Sequence, residues 1–346
     1  MFKKRYFPPE LLNSFLETLP NTVTQEIIGK SINNLPINLV QMGSGPFKIM
    51  IWSQMHGNET TTTKALIDFI PWFLAADQKL YQKAFKLYVI PQLNPDGAKV
   101  YTRFNANKID LNRDAIKLSQ PETKALRFIY DRTNPNLCLN LHGQRTIFSA
   151  GKKGKSATVS FLSPSADVNK CVTPARKVAM QVIGALNHRL QQSIPNQIGR
   201  FDDTYNQNCV GDYFSSEGIP TILFEAGHYL DDYNRNITRK FILEALESAI
   251  IVIQNKTYLN YSISNYIKIP KNHQDYVDIL CKNITIKTGD KVFYNQEMAV
   301  QFIEKLVDDK IKFQPSFHSF GDRIELLAHK IIDFQDISMP SVFLFA

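Results

Sequence analysis

The chain has 346 residues, a length that suits one large domain with a small one, or two medium domains. A hydrophobic fraction of 44%, with 23 Phe and 14 Tyr, supplies a sizeable core and argues against an intrinsically disordered chain. The formal net charge of +8 favours anionic partners in general. Because the lysines are spread along the chain, we expect a basic surface that suits an acidic substrate, and no nucleic-acid partner.

The first residues, MFKKRYFPPELLNSF, are basic but lack the apolar run of a signal peptide, since Pro8 and Pro9 interrupt it. No stretch approaches the roughly 18 apolar residues that span a bilayer. We therefore predict a cytoplasmic protein with no signal peptide, no transmembrane segment and no membrane partner. The four cysteines are widely spaced and are interpreted as reduced thiols. The oligomeric state stays open.

Apolar and amphipathic segments alternate along the first two thirds of the chain. The predicted strands are 47–54, 84–93, 136–143 and 219–227, and the predicted helices are 61–76, 119–132, 175–193 and 234–255. Pro71 is expected to kink or end the first helix, and Ser119 with Glu122 to form a capping box at the second. The pattern predicts an α/β fold with a mixed, largely parallel central sheet flanked by helices. Ligands bind at the carboxyl ends of the strands in such sheets.

The character of the sequence changes after about residue 256, where short strand-like runs replace the alternation. We predict a main, catalytic domain over 1–260 and a small strand-rich α+β appendage over 265–346, whose role the sequence does not give. One helix-like stretch, MAVQFIEKLVDD (298–309), is expected within this appendage.

Two histidines and a carboxylate form a candidate metal site. His56 and Glu59, in HGNE, follow a predicted strand and lie one turn apart if Glu59 begins the next helix. His142, in NLHG, ends another apolar strand. Either part alone is weak, and a lone His at such a place is more often simply packed. Together they make a two-His-one-carboxylate set, which suits zinc and leaves a position open for water.

Glu225, in LFEAG, also ends an apolar strand. A carboxylate beside an activated water can take its proton and pass it to a leaving group. Glu225 is therefore our candidate general base, although the same pattern suits a loop residue.

A long polar segment, residues 94–114, contains residue types that recognise anions. Arg103 and Arg113 can fork onto carboxylates or oxyanions, and Asn112 adds a donor beside Arg113. Asp110 can accept the N–H of a metal-bound histidine. Long loops in compact domains are often functional, which favours this interpretation over a solvated surface loop.

Taken together, the motifs resemble those of the zinc metallocarboxypeptidase family over roughly residues 45–235. They are HGNE, NPDG, TR, DLNR, NLHG, TYN and FEAG, in this order. The run NPDG…TRFNA…DLNR is particularly similar to bacterial murein-peptide amidases and carboxypeptidases of that family. The HGNE motif is also similar to that of the aspartoacylase and succinylglutamate desuccinylase relatives.

The resemblance implies a carboxypeptidase-like fold and one zinc ion held by His56, Glu59 and His142. It also implies that Asp110 supports a ligand histidine and that Glu225 is the general base.

The same resemblance implies that Arg103 polarises the scissile carbonyl and stabilises the oxyanion. Asn112 and Arg113 would bind the terminal carboxylate of the substrate, Tyr205 would close over it, and Gly211 would help to set pocket specificity.

The sequence departs from the family's pattern at two places. Asn58 stands where many digestive members have Arg, directly before the ligand Glu. For the closing tyrosine, Tyr213 is the other candidate beside Tyr205.

Three functions remain open at this stage. The leading hypothesis is a zinc metallocarboxypeptidase, a hydrolase that cleaves a peptide or amide bond next to a free carboxylate, with a cell-wall peptide as a narrower version. The alternative is an N-acyl amino acid deacylase of the aspartoacylase type. The third is a non-catalytic binding protein on the same fold.

Overall fold

The structure is a computed structural model that describes residues 2–336 and 342–345. The α-helices are α1 (Pro9–Leu16), α2 (Thr60–Leu74), α3 (Lys79–Ala84), α4 (Pro95–Val100), α5 (Pro121–Thr133), α6 (Pro174–Leu190), α7 (Val210–Ser216), α8 (Asn236–Gln254) and α9 (Ile263–Ile267). Short 3-10 helices cover Ala76–Gln78, Leu111–Arg113, Thr257–Asn260 and Phe334–Asp336. In the described part of the chain, no helix is long and apolar enough to cross a membrane.

The strands form a large sheet, a smaller C-terminal sheet and one short pair. The strands are β1 (Thr24–Lys30), β2 (Pro36–Met42), β3 (Phe47–Ser53), β4 (Phe85–Ile90), β5 (Leu137–Gly143), β6 (Phe148–Ala150), β7 (Val159–Leu162), β8 (Ile198–Arg200), β9 (Thr221–Ala226), β10 (Asn272–Gln274), β11 (Tyr276–Thr288), β12 (Lys291–Val307), β13 (Lys310–Gly321), β14 (Leu327–Asp333) and β15 (Val342–Phe345). The large sheet has the order β1-β2-β4-β3-β5-β9-β7-β8, and β6 pairs with β10.

The four central strands of the large sheet, β4, β3, β5 and β9, are parallel, and the flanking pairs β2–β4 and β7–β9 are antiparallel. Their residues are almost wholly apolar because helices cover both faces. One core includes α2, α6 and α8, while the other includes α5 and α7. The carboxyl ends of three neighbouring parallel strands therefore meet at one edge, and this edge holds the site described below.

The predicted α/β fold class is confirmed, and each predicted strand and helix of the first two thirds is present with small shifts at its ends. Pro71 lies inside α2 and does not end it, so of the two outcomes expected there, a kink or an end, the end is excluded. One local prediction was wrong. The capping box at α5 does not form, because Ser119 donates its hydroxyl to Asp114 at 2.7 Å and the helix begins at Pro121.

The C-terminal sheet has the order β13-β12-β11-β14, with β15 also on β11, and it encloses a small core of its own. The predicted helix over 298–309 is wrong, because those residues lie mainly in β12 and continue into the turn after it. Strand β12 pairs with β11 on one side and with β13 on the other, so ladder hydrogen bonds override the local helix preference. The division into domains at 260–265 stays a prediction.

A partly buried ion pair joins the C-terminal sheet to the rest of the chain. Arg5 donates to both carboxylate oxygens of Glu304 on β12, at 3.1 and 3.3 Å, and to the hydroxyl of Thr61 on α2 at 2.7 Å. Tyr101, at the end of α4, also donates its hydroxyl to Glu304. Burial opposes ionisation of Glu304, but the neighbouring Arg5 and Arg235 guanidinium groups lower its pKa below the ordinary value.

We expect Glu304→Gln to lower the free energy of unfolding by about 2 kcal/mol, because Arg5 and Tyr101 lose their charged partner inside the protein. Denaturant unfolding measures the effect. Glu325→Gln is the matched control, since Glu325 also forms ion pairs but is largely exposed, and it should leave the stability unchanged. Equal stability of the two variants would contradict the prediction.

Candidate active site

His56 and Glu59 lie in the tight connection between β3 and α2. Glu59 is the N-cap of α2, and its N–H donates to the His56 carbonyl at 3.1 Å. The loop needs Gly57, because a Cβ there would lie 2.0 Å from the carbonyl carbon of Gly97. Asn94 fixes that second loop by accepting from Gly97 N at 2.8 Å and donating to the Met55 carbonyl. The HGNE and NPDG motifs are therefore adjacent in space, with their glycine backbones in contact.

His142 and Glu225 come from the carboxyl ends of β5 and β9. These parallel strands are neighbours, and His142 pairs with Glu225 in the register. Both side chains are buried. Sequence-distant residues on three segments thus converge at the predicted edge of the sheet.

The three predicted ligands, His56, Glu59 and His142, lie close enough to hold one metal ion, with their ligand atoms within 4.8 Å of one another. His56 Nδ1 lies 2.7 Å from one Glu59 oxygen, and His142 Nδ1 lies 2.9 Å from the other. The two Nδ1 atoms are 3.2 Å apart. Ligand atoms about 2.1 Å from a tetrahedral zinc ion are roughly 3.4 Å apart, so these atoms need to separate only slightly to share one ion.

The hydrogen bonding of these residues also fits a cation. Both ring nitrogens of His56 face a carboxylate, Nε2 that of Asp110 and Nδ1 that of Glu59, and a neutral imidazole has only one N–H to donate. A cation at Nδ1 would let the neutral ring satisfy both carboxylates. Burial raises the pKa of Glu59, but the facing His56 and His142 reverse this and hold that pKa well below its ordinary value. Burial also lowers the pKa of His142, which favours the neutral imidazole that a metal requires.

Asp110 and Arg103 surround the His56 ring. Asp110 accepts from His56 Nε2 at 3.0 Å, which leaves Nδ1 for the ion. Its other oxygen accepts from Arg103 Nε and Nη2, at 3.1 and 3.0 Å. Burial acts to raise the pKa of Asp110, but the His56 hydrogen bond and Arg103 lower it below the ordinary value. The remaining Arg103 nitrogen, Nη1, lies 3.7 Å from Glu59 and therefore points at the centre of the site.

Glu225 is buried, and its Oε2 has no hydrogen-bond partner among the described residues. Burial and the negative charge of Glu59 raise the pKa of Glu225 well above its ordinary value. A carboxyl group with a raised pKa and an unpaired oxygen beside a metal site is suited to accept and return a proton.

These residues open into a cavity of about 480 Å³. Asn112 and Arg113 line it, on the 3-10 helix after Asp110. Asn112 Oδ1 accepts from Val210 N at 3.0 Å, so its amide donors are left for a ligand. Gly211, on α7, also lines the cavity, and a Cβ at this position would lie 3.1 Å from Pro164.

The two candidate closing tyrosines do not line the cavity as it stands. Tyr205 is half-buried, and its neighbours Thr204 and Asn206 form part of the wall. Tyr213 lies with its ring 3.9 Å from the Arg127 guanidinium, and its hydroxyl accepts from Arg127 at 3.2 Å. The closing role of Tyr205 stays a prediction, and Tyr213 is held on another surface.

Sequence reasoning missed two polar residues of the cavity wall. Asn140 is fully buried, and both its amide atoms lack a partner among the described residues. It lies two positions before His142 on β5, so the two-residue period of a strand places both on one face. Asp212, next to Gly211, also lines the cavity, and burial raises the pKa of Asp212 to about 6.

We expect Asp212→Asn to stabilise the protein at neutral pH. The pKa of Asp212 is raised on folding, so its ionisation opposes folding, and the wild type loses stability as pH rises from about 4 to about 6. The variant should be more stable by about 2 kcal/mol at pH 8 and by little near pH 4. Denaturant unfolding at the two pH values checks this. The exposed Asp131→Asn serves as control, and an equal effect of both substitutions would count against the prediction.

Comparison with known proteins finds similarity to one family over part of the chain. Residues 10–115 match the family model described as zinc carboxypeptidase. The resemblance to zinc carboxypeptidases is confirmed. Carboxypeptidase 2 of Trichophyton tonsurans is 32% identical over 110 residues, which cover 30% of this chain and 20% of that protein. Carboxypeptidase SOL1 of Arabidopsis thaliana is 31% identical over 120 residues, 29% of this chain and 24% of that protein. The match thus spans about a fifth of the length of these curated relatives.

Solved metallocarboxypeptidase structures share the fold. The metallo-carboxypeptidase from Burkholderia cenocepacia aligns with a TM-score of 0.57 at 15% identity, covering 74% of this chain and 71% of that one. Carboxypeptidase A from Helicoverpa armigera aligns with a TM-score of 0.56 at 17% identity, covering 75% of each chain. The zinc cofactor predicted for this carboxypeptidase fold agrees with the family model and with the group formed by His56, Glu59 and His142.

Proposed function

We propose that this chain is a zinc metallocarboxypeptidase that hydrolyses a peptide or amide bond adjacent to a free carboxylate. The convergence of His56, Glu59 and His142 on one point, at the wall of a cavity, carries the proposal. Glu225 and Arg103 line the same cavity, which therefore offers a proton acceptor and a cation beside the metal position.

Each of these residues would have a separate role in the reaction. Zinc held by the three ligands would supply a water of lowered pKa and a Lewis acid for the scissile carbonyl. Arg113 and Asn112 would bind the terminal carboxylate and so position the last residue of the substrate. Arg103 Nη1 would donate to the oxygen of the carbonyl as negative charge develops on it. Glu225 would take a proton from the attacking water and return it to the leaving amine.

The polar lining of the cavity supports a narrower substrate class. Asn140 has a free donor and a free acceptor, and Asp202 and Asp212 contribute carboxylates to the wall. These groups favour a terminal residue with a polar side chain that carries an amino group. Together with the motif similarity, they support a cell-wall peptide, with a diamino acid as the residue released, as the substrate.

A substrate panel tests the proposed function. Purified zinc-loaded protein is incubated with peptides that have a free C-terminus, with murein tripeptide and with N-acyl amino acids, and released amines are quantified. We expect hydrolysis of the first two groups. Hydrolysis of the N-acyl amino acids alone would favour the deacylase that the HGNE motif suggests. Absence of both zinc binding and turnover would favour a binding protein. Activity on ordinary peptides without activity on murein tripeptide would eliminate the cell-wall version.

We expect Gly211→Ala to narrow the pocket, because the added methyl group would lie 3.1 Å from Pro164 and 3.6 Å from Asn140 Nδ2. Alanine suits a helix such as α7, so the fold should persist. The ratio of kcat/KM for a bulky over a small terminal residue should fall about tenfold. The exposed Ser216→Ala, on the same helix, is the control. An unchanged ratio would remove Gly211 from the specificity pocket.

A further inference from the structure

A second cavity, of about 290 Å³, lies next to the first, between the catalytic part and the C-terminal sheet. Asn58 and Arg145 form its wall on the catalytic side, and Gln301, Ile303 and Phe313 form it on strands β12 and β13. Arg145 lines both cavities, and Asn58 directly precedes the metal-site residue Glu59. The C-terminal sheet therefore reaches the surroundings of the proposed reaction centre.

The wall supplied by the C-terminal sheet is held in place by buried contacts. Asp278, which is fully buried, accepts from the Phe302 backbone N–H at 2.6 Å and from the Tyr233 hydroxyl at 3.0 Å. Gln301 donates to Asp278 and to the Thr146 hydroxyl. The Arg5–Glu304 ion pair anchors the same strand, β12. A preformed wall of this kind costs a ligand little ordering on binding.

The chemistry of this wall suits a peptide segment. Asn58 Oδ1 and Gln301 Oε1 are buried acceptors without a donor among the described residues, and a ligand N–H would satisfy them. Arg145 has no hydrogen bond or ion pair with any of the described residues. Its guanidinium can therefore bind a substrate carbonyl or carboxylate. The rings of Phe313 and Tyr233, 5.2 Å apart, offer an apolar surface to side chains.

The residues that line each cavity indicate how a bound peptide would run from one cavity to the other. Asn112 and Arg113 line only the first cavity, and Arg145 lies where the two meet. A substrate with its terminal carboxylate at Arg113 and its scissile carbonyl at the metal site continues past Arg145 towards Asn58. We propose that the second cavity is an extended subsite, built by the C-terminal sheet, for the residues on the amino side of the scissile bond. This inference rests on the proposed carboxypeptidase function and assigns a role to the C-terminal sheet.

Two peptides that share one scissile bond test the subsite. The short one is an N-acetylated dipeptide with the terminal residue preferred in the substrate panel, and the extended one carries three more residues before that dipeptide. Ile303→Trp places a large ring over the cavity, and Ile303 is 48% exposed, so the fold should tolerate it. Ile331→Trp is the matched control, since Ile331 is 58% exposed on the same sheet but lies outside the cavity.

For the wild type and Ile331→Trp, we expect kcat/KM to be about tenfold higher for the extended than for the short peptide. In Ile303→Trp this ratio should fall to near one. A wild-type ratio near one, or a ratio that Ile303→Trp leaves unchanged, would overturn the inference.

Binding measurements separate failure of the subsite from failure of the proposed function. The two peptides are titrated calorimetrically into zinc-loaded Glu225→Gln and into the double variant Glu225→Gln with Ile303→Trp. If the wild type hydrolyses neither peptide, the proposed function fails. Tighter binding of the extended peptide, lost in the double variant, would still support the subsite, and equal or absent binding of both peptides would overturn it.

Discussion

Glu225→Gln should lower kcat about a thousandfold and leave the zinc content at one equivalent. The substitution keeps the size and shape of the side chain but removes its ability to take a proton. Glu225 is not one of the three predicted ligands, so the metal should stay bound. Because burial and the Glu59 charge disfavour the ionised Glu225, the neutral amide should also fold at least as well.

Steady-state kinetics and elemental analysis of the same preparation measure both effects. Glu217→Gln is the control, since Glu217 lies at the exposed end of α7 and should behave as the wild type. Full activity of Glu225→Gln would remove the general base from the mechanism, whereas loss of zinc would make Glu225 a ligand.

His142→Ala should abolish both zinc binding and turnover. With His142 removed, only His56 and Glu59 remain, and two ligands do not hold zinc in a stable four-coordinate site. The wild type should gain about 4 kcal/mol of stability when free zinc exceeds its Kd a thousandfold, and the variant should gain almost none. Thermal unfolding with and without zinc measures this gain in stability and needs no activity assay.

His188→Ala is the matched control, because His188 is exposed on α6. It should keep the zinc-dependent rise in unfolding temperature. If His142→Ala kept the same rise, the cation would have to bind elsewhere on the chain.

The positions of His142 and Glu225 could be predicted from the sequence because the α/β fold determines where strand ends lie. His142 and Glu225 end apolar parallel strands, and such strands present their carboxyl ends at one edge of a sheet. HGNE and NPDG were recognised as motifs, but their mutual contact was not, since it depends on Gly57 and Gly97 meeting in space.

Other features depend on tertiary contacts that a sequence does not reveal. Residues 298–309 contain many good helix formers, yet pairing on both sides makes most of them strand β12. The Ser119 hydroxyl donates to Asp114, a contact that the local sequence pattern does not show, and so it does not cap α5. The place of Asp212 in the cavity wall depends on how α7 packs, and the second cavity depends on how the C-terminal sheet packs against the rest of the chain.

Anomalous diffraction from crystals grown with zinc most directly tests whether His56, Glu59 and His142 share one ion. We predict a single peak about 2.1 Å from His56 Nδ1 and His142 Nδ1 and bonded to the Glu59 carboxylate. A zinc peak held by other residues, or in contact with just one of the three, would contradict the account.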